Sequence, residues 1–517
     1  MADVPSEPSA RDAPSAPDAQ QAAQLGRLVD LHPEVRELGE RFAAAGHELF
    51  LVGGSVRDTL RAGPDAAGAT DRIDLDLATS ARPEDTERLL RGWADAVWLT
   101  GAEFGTVSCQ RQRGEAPPRV IEITTFRADT YVAGSRHPTV SFGDAIEDDL
   151  ARRDFTVNAM AVQVPEFRFV DPFGGLRALN RPRPLLRTPI DPHVSFGDDP
   201  LRMVRMARFV SVLDAEVEDA TFVAAAEMAD QLATVSKERI RDELVKLMLG
   251  PVPNRGVDVL VRTGLHRHVL PELEELHTCV DPLHRHKDVY HHTLAVLGNA
   301  IALETRGPDL ELRLAALLHD VGKPSTREIH RDRTVTFHHH DVVGARMVRA
   351  RLRELRFDKE TVRRVSDLVR LHLRFHTYAA GWTDAAVRRY VRDAGDVLEP
   401  LNLLTRADVT TGDPRKARAI QRRVTELEER IDHLREQEEL DALRPALDGE
   451  RIMAHLGIAP GPLVGEAWRH LLELRVDRGP MEDDEALAEL DAWWAARPAA
   501  DAAEAAGTSD ASEASEG

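Results

Sequence analysis

The sequence predicts an α+β protein: a mixed strand-and-helix region, then a long all-helical remainder. Three observations point there. Before about residue 180, apolar residues alternate in short runs. After residue 196 they recur at helical spacing almost to the end. And 517 residues suffice for several domains, each with its own core.

Taken in order, residues 1 to about 24 are rich in Pro, Ser, Ala and Asp and show no apolar period, so they read as a disordered tail. They lack the basic n-region and apolar h-region of a signal peptide. "ELFLVGGSV" reads as a strand entering a glycine turn, with a helix beginning near Ser55. "DRIDLDLATS" alternates Ile73, Leu75 and Leu77 with Asp74, Asp76 and Ala78, the period of a strand. "RVIEITTFR" and "FRFVDPFGG" give further strands, and "DPLRMVRMARFVSVL" and "SKERIRDELVKLMLG" read as amphipathic helices. A histidine-rich helical segment follows from about 281 to 410. Ile420, Val424, Leu427, Ile431 and Leu434 then form a helix seam, either a short coiled-coil hairpin or a face packed on the body. "ALDGERIMAHLGIAPGPLVGEAWRHLL" reads as two short helices, and the last twenty residues as a tail.

Composition bounds the function. With 42% hydrophobic and 30% charged residues the chain is of the soluble globular class, and no apolar run is long enough to span a bilayer. Cys109 and Cys279 are far apart and lack metal-ligand spacing, which fits a reduced cytoplasm. The formal charge of -21 argues at first against a nucleic-acid partner. Much of it falls in the two expected tails, Met1–Ala22 and Met481–Gly517, so a basic face on the body stays open.

Asp74 and Asp76 project from one strand face, and two carboxylates that close need a cation between them. Gly53 and Gly54 lie just upstream, where backbone N–H groups and a helix N-terminus favour anions, and Arg57 adds a cation. Phosphates there would lie beside the carboxylates, and Mg²⁺ is the natural neutraliser.

"LARRDFTVNAMAV", "VDPFGG" and "DDPLRMVRMARF" follow in order. With them the sequence resembles class II CCA-adding enzymes, tRNA nucleotidyltransferases of the polymerase-beta superfamily closely related to bacterial poly(A) polymerases. The resemblance covers roughly residues 40 to 245. It implies a polymerase-beta-type head in which Asp74 and Asp76 hold the catalytic Mg²⁺ and Gly54 and Arg57 bind the triphosphate. It also implies that Arg153 and Asp154 contact the nucleotide, that "DPFGG" is a hinge, and that Asp199, Arg202, Arg205 and Arg208 form the nucleotide-selecting helix. Asp198-Asp199 stands where the family has Glu-Asp. The chemistry supports the last assignment. Arginines three apart spread over an arc of about 120°. Asp199 accepts from an exocyclic amine while Arg202 donates to the adjacent ring nitrogen, a pattern that cytosine and adenine share and uracil and guanine lack.

A second resemblance covers 281 to 410. "DVYHHTLAVLGNA", "LRLAALLHDVGKPSTRE", "FHHHDVVGA", "LVRLHLRFH" and "LTRADVTT" resemble the HD metal-dependent phosphohydrolases. The resemblance implies a second divalent metal held by His292, His319, Asp320 and Asp408, with His340 and His372 as extra ligands. A structural role for this helical module is the competing reading.

The expected organisation is a disordered tail (1–24), a nucleotidyltransferase head (25–180), a helical neck (181–270), an HD domain (271–412), a helical body (413–497) and a disordered acidic tail (498–517). The expected function is template-independent addition or repair of the tRNA 3′-terminal CCA from CTP and ATP, releasing pyrophosphate. A poly(A) polymerase, a partial CC- or A-adding enzyme, an HD phosphohydrolase and a non-catalytic RNA-binding module are the alternatives.

Overall fold

The computed structural model describes residues 16–62, 75–101, 105–112, 119–127, 142–277, 279, 288–332, 334–377, 382–411, 413–438 and 444–497. Asp74 lies outside them, as do residues 1–15 and 498–517. The chain divides into two compact units, Met1–Glu274 and Glu275–Gly517.

The first unit opens with helices α1 (Ala19–Leu31) and α2 (Pro33–Ala44). The start of α1 corrects the expected disorder of residues up to 24. Asp18 and Gln21 form a reciprocal capping box, Gln21 bonds Asn180, and Leu25, Leu28 and Val29 are buried. The short polar run before the apolar stripe masked this start.

A seven-stranded mixed sheet follows. Its strands are β1 (Leu49–Val52), β2 (Leu75–Thr79), β3 (Ala96–Gly101), β4 (Thr106–Arg111), β5 (Arg119–Thr125), β6 (Ala161–Val164) and β7 (Phe169–Val170), in the order β3-β4-β5-β2-β1-β6-β7. Only β2 and β5 run parallel, with Asp76 opposite Glu122 and Leu77 opposite Ile123. The alternation read from the sequence holds at Leu75, Asp76 and Leu77, buried, exposed and buried. Helices α3 (Gly54–Arg61), α4 (Pro83–Leu90), α5 (Ile146–Ala151) and α6 (Gly175–Leu179) connect the strands or flank them.

"DPFGG" is a tightly packed cap. Both oxygens of buried Asp171 accept the N–H groups of Gly175 and Leu176, at 2.7 and 3.0 Å. A Cβ at Gly175 would collide with the Thr156 carbonyl.

Helices α7 (Pro192–Asp198), α8 (Leu201–Leu213), α9 (Asp219–Glu227), α10 (Lys237–Met248), α11 (Pro253–Arg262) and α12 (His266–Val269) complete the unit. The apolar face of α8 is buried against α10 and α11. A two-residue parallel ladder, β8 (Leu185–Leu186) with β9 (Glu216–Val217), ties the chain just before α7 to the link between α8 and α9.

The second unit is helical, as expected, apart from a short hairpin, β10 (Arg327–Ile329) and β11 (Val335–Phe337). Helices α13 (Val289–Leu303), α14 (Leu310–Leu318), α15 (His340–Glu354), α16 (Lys359–Leu371), α17 (Asp384–Ala394) and α18 (Leu398–Ala407) come first. On α19 (Pro414–Glu438), Val424, Leu427, Ile431 and Leu434 are buried, and the helix packs on α17 and α18. That decides between the hairpin and body-packing alternatives. Helices α20 (Gly449–Leu456), α21 (Pro462–Arg478) and α22 (Asp483–Ala495) share a core of Leu447, Ile452, Ala467, Leu471, Ala486 and Leu490. Part of the acidic charge assigned to a C-terminal tail therefore sits on an ordered helix. That helix lies inside the helical body expected over 413–497, and its buried residues are Ala486 and Leu490. Among the described residues no helix is long and apolar enough to cross a membrane.

Candidate active site

One cleft of about 860 Å³ in the first unit gathers most of the residues singled out in the sequence. Gly53, Gly54, Arg57, Asp76, Arg153, Asp154, Asn158, Asp199, Arg202, Arg205 and Arg208 all line it. The wall begins where β1 ends. Gly53 turns the chain with φ +74 and α3 starts at once, so a helix N-terminus borders the cleft at Gly53 and Gly54. The positive φ favours glycine at Gly53, and the Arg153 guanidinium lies close beside it.

The opposite wall carries carboxylates. Asp76 and Glu122 are register partners on adjacent parallel strands, both exposed on the cleft side of the sheet. Glu122 was not read from the sequence, because strand register brings it to Asp76 across more than forty residues. Two hard oxygen donors fit a divalent cation shared with phosphate oxygens.

The arginines of α8 are not a solvated face. Arg205 Nη2 lies 2.6 Å from Asp154 Oδ2, and Arg208 Nη1 lies 3.1 Å from Glu243 Oε2. Arg205 Nη1 also approaches Glu243, at 3.7 Å. Asp154 Oδ1 accepts from the Phe155 N–H and from Asn158 Nδ2, both at 2.8 Å. Asn158 in turn accepts from Arg57 Nη1 at 2.5 Å. A continuous chain thus runs Arg57–Asn158–Asp154–Arg205–Glu243–Arg208. Phe209 lies beneath it, with the guanidinium carbons of Arg208 and Arg57 at 4.0 and 5.1 Å from its ring centroid. Burial alone would raise the Asp154 carboxyl, but Arg205 and Asn158 outweigh burial and hold it well below the usual carboxylate range. Burial lowers Arg208 to about 10, so it stays cationic at neutral pH.

Asp199 and Arg202 stand at the start of α8. Asp199 accepts from the Leu201 N–H at 3.2 Å and from Arg239 Nη2 at 2.9 Å. Arg202 donates to the Arg152 carbonyl at 2.6 Å and to Ser195 Oγ at 2.9 Å. Arg153 donates to Asp149 at 3.0 Å. Sequence reasoning missed Asn158, Phe209, Arg239 and Glu243. Only Asn158 carried a local signal, lying four residues beyond Asp154 in "RDFTVN".

The second unit brings the six singled-out HD residues together. His292 Nε2 lies 3.1 Å from Asp408 Oδ1, and His319 Nε2 lies 3.2 Å from Asp320 Oδ2. Asp320 Oδ1 faces His340 Nε2 at 3.4 Å. His291 is exposed and meets Asp288, whereas His292 is buried and points inward. A Cβ at Gly322 would collide with the His340 carbonyl, so the turn after Asp320 needs glycine to meet α15. Burial opposes charge on His319, but Asp320 and Asp408 outweigh it and hold the imidazole up at about 10. Burial pushes His372 down to about 4. Imidazole and carboxylate together suit a divalent metal.

Comparison with known proteins follows the same division. Residues 49–183 match the family described as the poly A polymerase head domain. Residues 215–276 match the probable RNA and SrmB-binding site of polymerase A, and residues 289–413 match the HD domain. An A-adding tRNA nucleotidyltransferase of Deinococcus radiodurans is 34% identical over 461 residues, covering 87% of this chain and 96% of the relative. A CCA-adding enzyme of Pediococcus pentosaceus is 37% identical over 236 residues, which span 46% of this chain and 55% of that relative. The fold matches the Bacillus stearothermophilus CCA-adding enzyme in complex with CTP, with a TM-score of 0.59 at 24% identity over 89% of this chain and 97% of that one. The Thermotoga maritima CCA-adding enzyme complexed with tRNA gives 0.57 at 18% identity, over 92% and 98%. This near-complete span of a 34%-identical relative, with head, RNA-binding and HD regions in order, means that the chain belongs to the tRNA nucleotidyltransferases of the poly(A) polymerase family.

Proposed function

We propose that the enzyme adds or repairs the 3′-terminal CCA of tRNA, taking CTP and ATP in turn into the head cleft. The observation that carries this is the meeting, in one cleft, of the Gly53–Gly54 helix N-terminus, the Asp76–Glu122 carboxylates and the Asp199–Arg202 pair.

The backbone N–H groups after Gly53, with Arg57 and Arg153, bind the triphosphate. Asp74, Asp76 and Glu122 hold Mg²⁺, which fits their all-oxygen donor set. When bound, Mg²⁺ supplies charge neutralisation at the reacting phosphate and lowers the cost of deprotonating the attacking hydroxyl. The tRNA 3′-hydroxyl attacks the α-phosphate, and pyrophosphate leaves from the side held by the helix N-terminus and Arg57. Asp199 and Arg202 read the base edge with the lone pairs and N–H groups left over from their protein partners, for a carboxylate accepts up to about four bonds and a guanidinium donates five. Asp154 already accepts from four protein donors, so it serves the nucleotide by holding Arg205 rather than by direct contact. Cys109 and Cys279 are buried thiols, which suits a reducing cytoplasm where tRNA is found.

The full-length likeness to an A-adding enzyme favours a second reading, addition of the terminal A alone. Incubation of the purified protein with tRNA ending before CCA, after C and after CC, with labelled CTP and ATP separately, decides between them. Growth of all three substrates to CCA supports the first reading. Extension of only the CC-ending tRNA by one A supports the second. Long A-tracts, or no incorporation at all, overturn both.

A further inference from the structure

One row of side chains on the head sheet runs from the cleft to the sheet edge. Strand register sets it: Asp76 pairs with Glu122, Glu122 with Ser108, and Ser108 with Trp98. Residues directly opposite across a ladder share a face, so all four point to the cleft side. The opposite face is the core side, where Leu77, Val107, Cys109, Ile121 and Ile123 are buried. The row therefore leads from the carboxylates of β2 and β5, across β4, to an indole on the edge strand β3. With neighbouring strands about 4.8 Å apart, Trp98 stands about 14 Å from Asp76.

That indole is open. Trp98 is 40% exposed, and Val120, two residues before Glu122 and so on the same face of β5, is 52% exposed. Trp93 shows the contrast. It donates its indole N–H to Glu37 at 2.9 Å and lies under the Arg111 guanidinium. Among the described residues Trp98 has neither kind of partner. A large aromatic left uncovered beside a reaction site is a contact surface in waiting.

In-line transfer identifies what passes over it. Attacking and leaving oxygens stand on opposite sides of the phosphorus. On the proposed reading, pyrophosphate leaves toward Arg57 and the α3 N-terminus, beside β1. Strand β1 borders β2 on the side away from β5. The attacking 3′-hydroxyl then enters from the β5 side, and the RNA strand behind it runs back over β5, β4 and β3.

We propose that Trp98 stacks on a base of the tRNA 3′ strand, with Val120 beside it, and so holds the hydroxyl at the carboxylates. At about 3.4 Å per stacked nucleotide the base lies about four nucleotides behind the hydroxyl, and fewer where the strand is stretched. Every base has a π-face, so the contact accepts any sequence. The proposal rests on the reading that this cleft extends a tRNA 3′ end, and adds to it the path of that end.

The test is extension of a CC-ending tRNA by one A, with the full chain over a range of tRNA concentrations. Trp98→Ala should raise the KM for tRNA about five- to a hundred-fold, the range for losing one base–aromatic stack, and leave the KM for ATP unchanged. Trp98→Leu, which keeps apolar bulk without a ring, should behave alike, and Trp98→Phe should restore most of the loss. An abasic site, placed in turn at each of the last four tRNA positions, should weaken the parent at one of them and weaken Trp98→Ala no further there. Equal tRNA KM values in parent, Trp98→Ala and Trp98→Leu, or additive losses at every abasic position, overturn the proposal while the reading of the cleft stands. No extension by the parent overturns both. Dissociation of an oligomer by Trp98→Ala at unchanged tRNA KM would assign this edge to a second copy of the chain, and also overturns the proposal.

Discussion

Arg205 clamps Asp154: its Nη2 and Nε lie 2.6 and 2.8 Å from the same oxygen, Oδ2. The contact ties the "RRD" turn of the head to helix α8, and so ties the wall proposed to face the phosphates to the wall proposed to read the base. Arg205→Ala should therefore lower both stability and turnover. A charge-assisted bond of this kind contributes about 1.5–3 kcal/mol. In a double-mutant cycle with Asp154→Asn, thermal or denaturant unfolding should show coupling between the two sites, and purely additive losses would refute the clamp.

The same carboxylate makes stability pH-dependent on the acid side. Asp154 is held below its ordinary value of 3.8 in the folded chain. Its contribution is fully present above the unfolded value and is lost as pH falls through the folded one, because only the unfolded chain takes up the proton in between. Melting temperature should fall more steeply below about pH 4 in the parent than in Asp154→Asn. Parallel curves would count against the assignment.

Asp74→Ala and Asp76→Ala should each abolish incorporation of CTP and ATP while tRNA still binds. Glu122→Gln, which removes one proposed metal ligand, should slow incorporation of both nucleotides at least as much as the roughly ten- to hundred-fold typical of losing a group that only supports a ligand. Single-turnover incorporation beside a tRNA gel-shift separates chemistry from binding. Near-parent rates in the Asp76 variant would remove the carboxylates from the mechanism.

Base choice tests the cleft's other wall. Asp199→Ala and Arg202→Ala should each relax discrimination against UTP and GTP by about ten- to a hundred-fold, the equivalent of one charged hydrogen bond. Arg57→Ala should slow all nucleotides alike. Arg239→Ala, which removes the partner that orients Asp199, should shift the preference in the same direction but less. Competition assays with paired nucleotides measure this, and full preference at unchanged rate in Asp199→Ala would exclude a base-reading role.

At the other end of the chain, Leu490→Ala should destabilise the α20–α22 core by about 2–5 kcal/mol, since Leu490 is fully buried there. Limited proteolysis near Gly479 reports the loss. Unchanged protection would mean that α22 does not depend on this side chain.

The elements of this protein were largely legible in its sequence, because side-chain period encodes which face of a strand or helix turns inward. Leu75–Asp76–Leu77 announced a strand with an exposed carboxylate, and Gly53–Gly54 a turn into a helix. The stepped arginines from Arg202 to Arg208 announced a helix serving one site. The histidine and aspartate pattern from His292 to Asp408 marked a second. Where local pattern was weak, at the polar start of α1, the reading fell short. Tertiary structure alone decided the partners. Glu122 meets Asp76 only through the parallel register of β2 and β5, and Glu243 and Arg239 reach α8 only because α10 packs along it. Asp320 faces two ways only because α13, α14, α15, α16 and α18 converge on it. Period along a chain fixes a residue's direction, but pairing across tens of residues depends on sheet order and helix packing, which no local window contains.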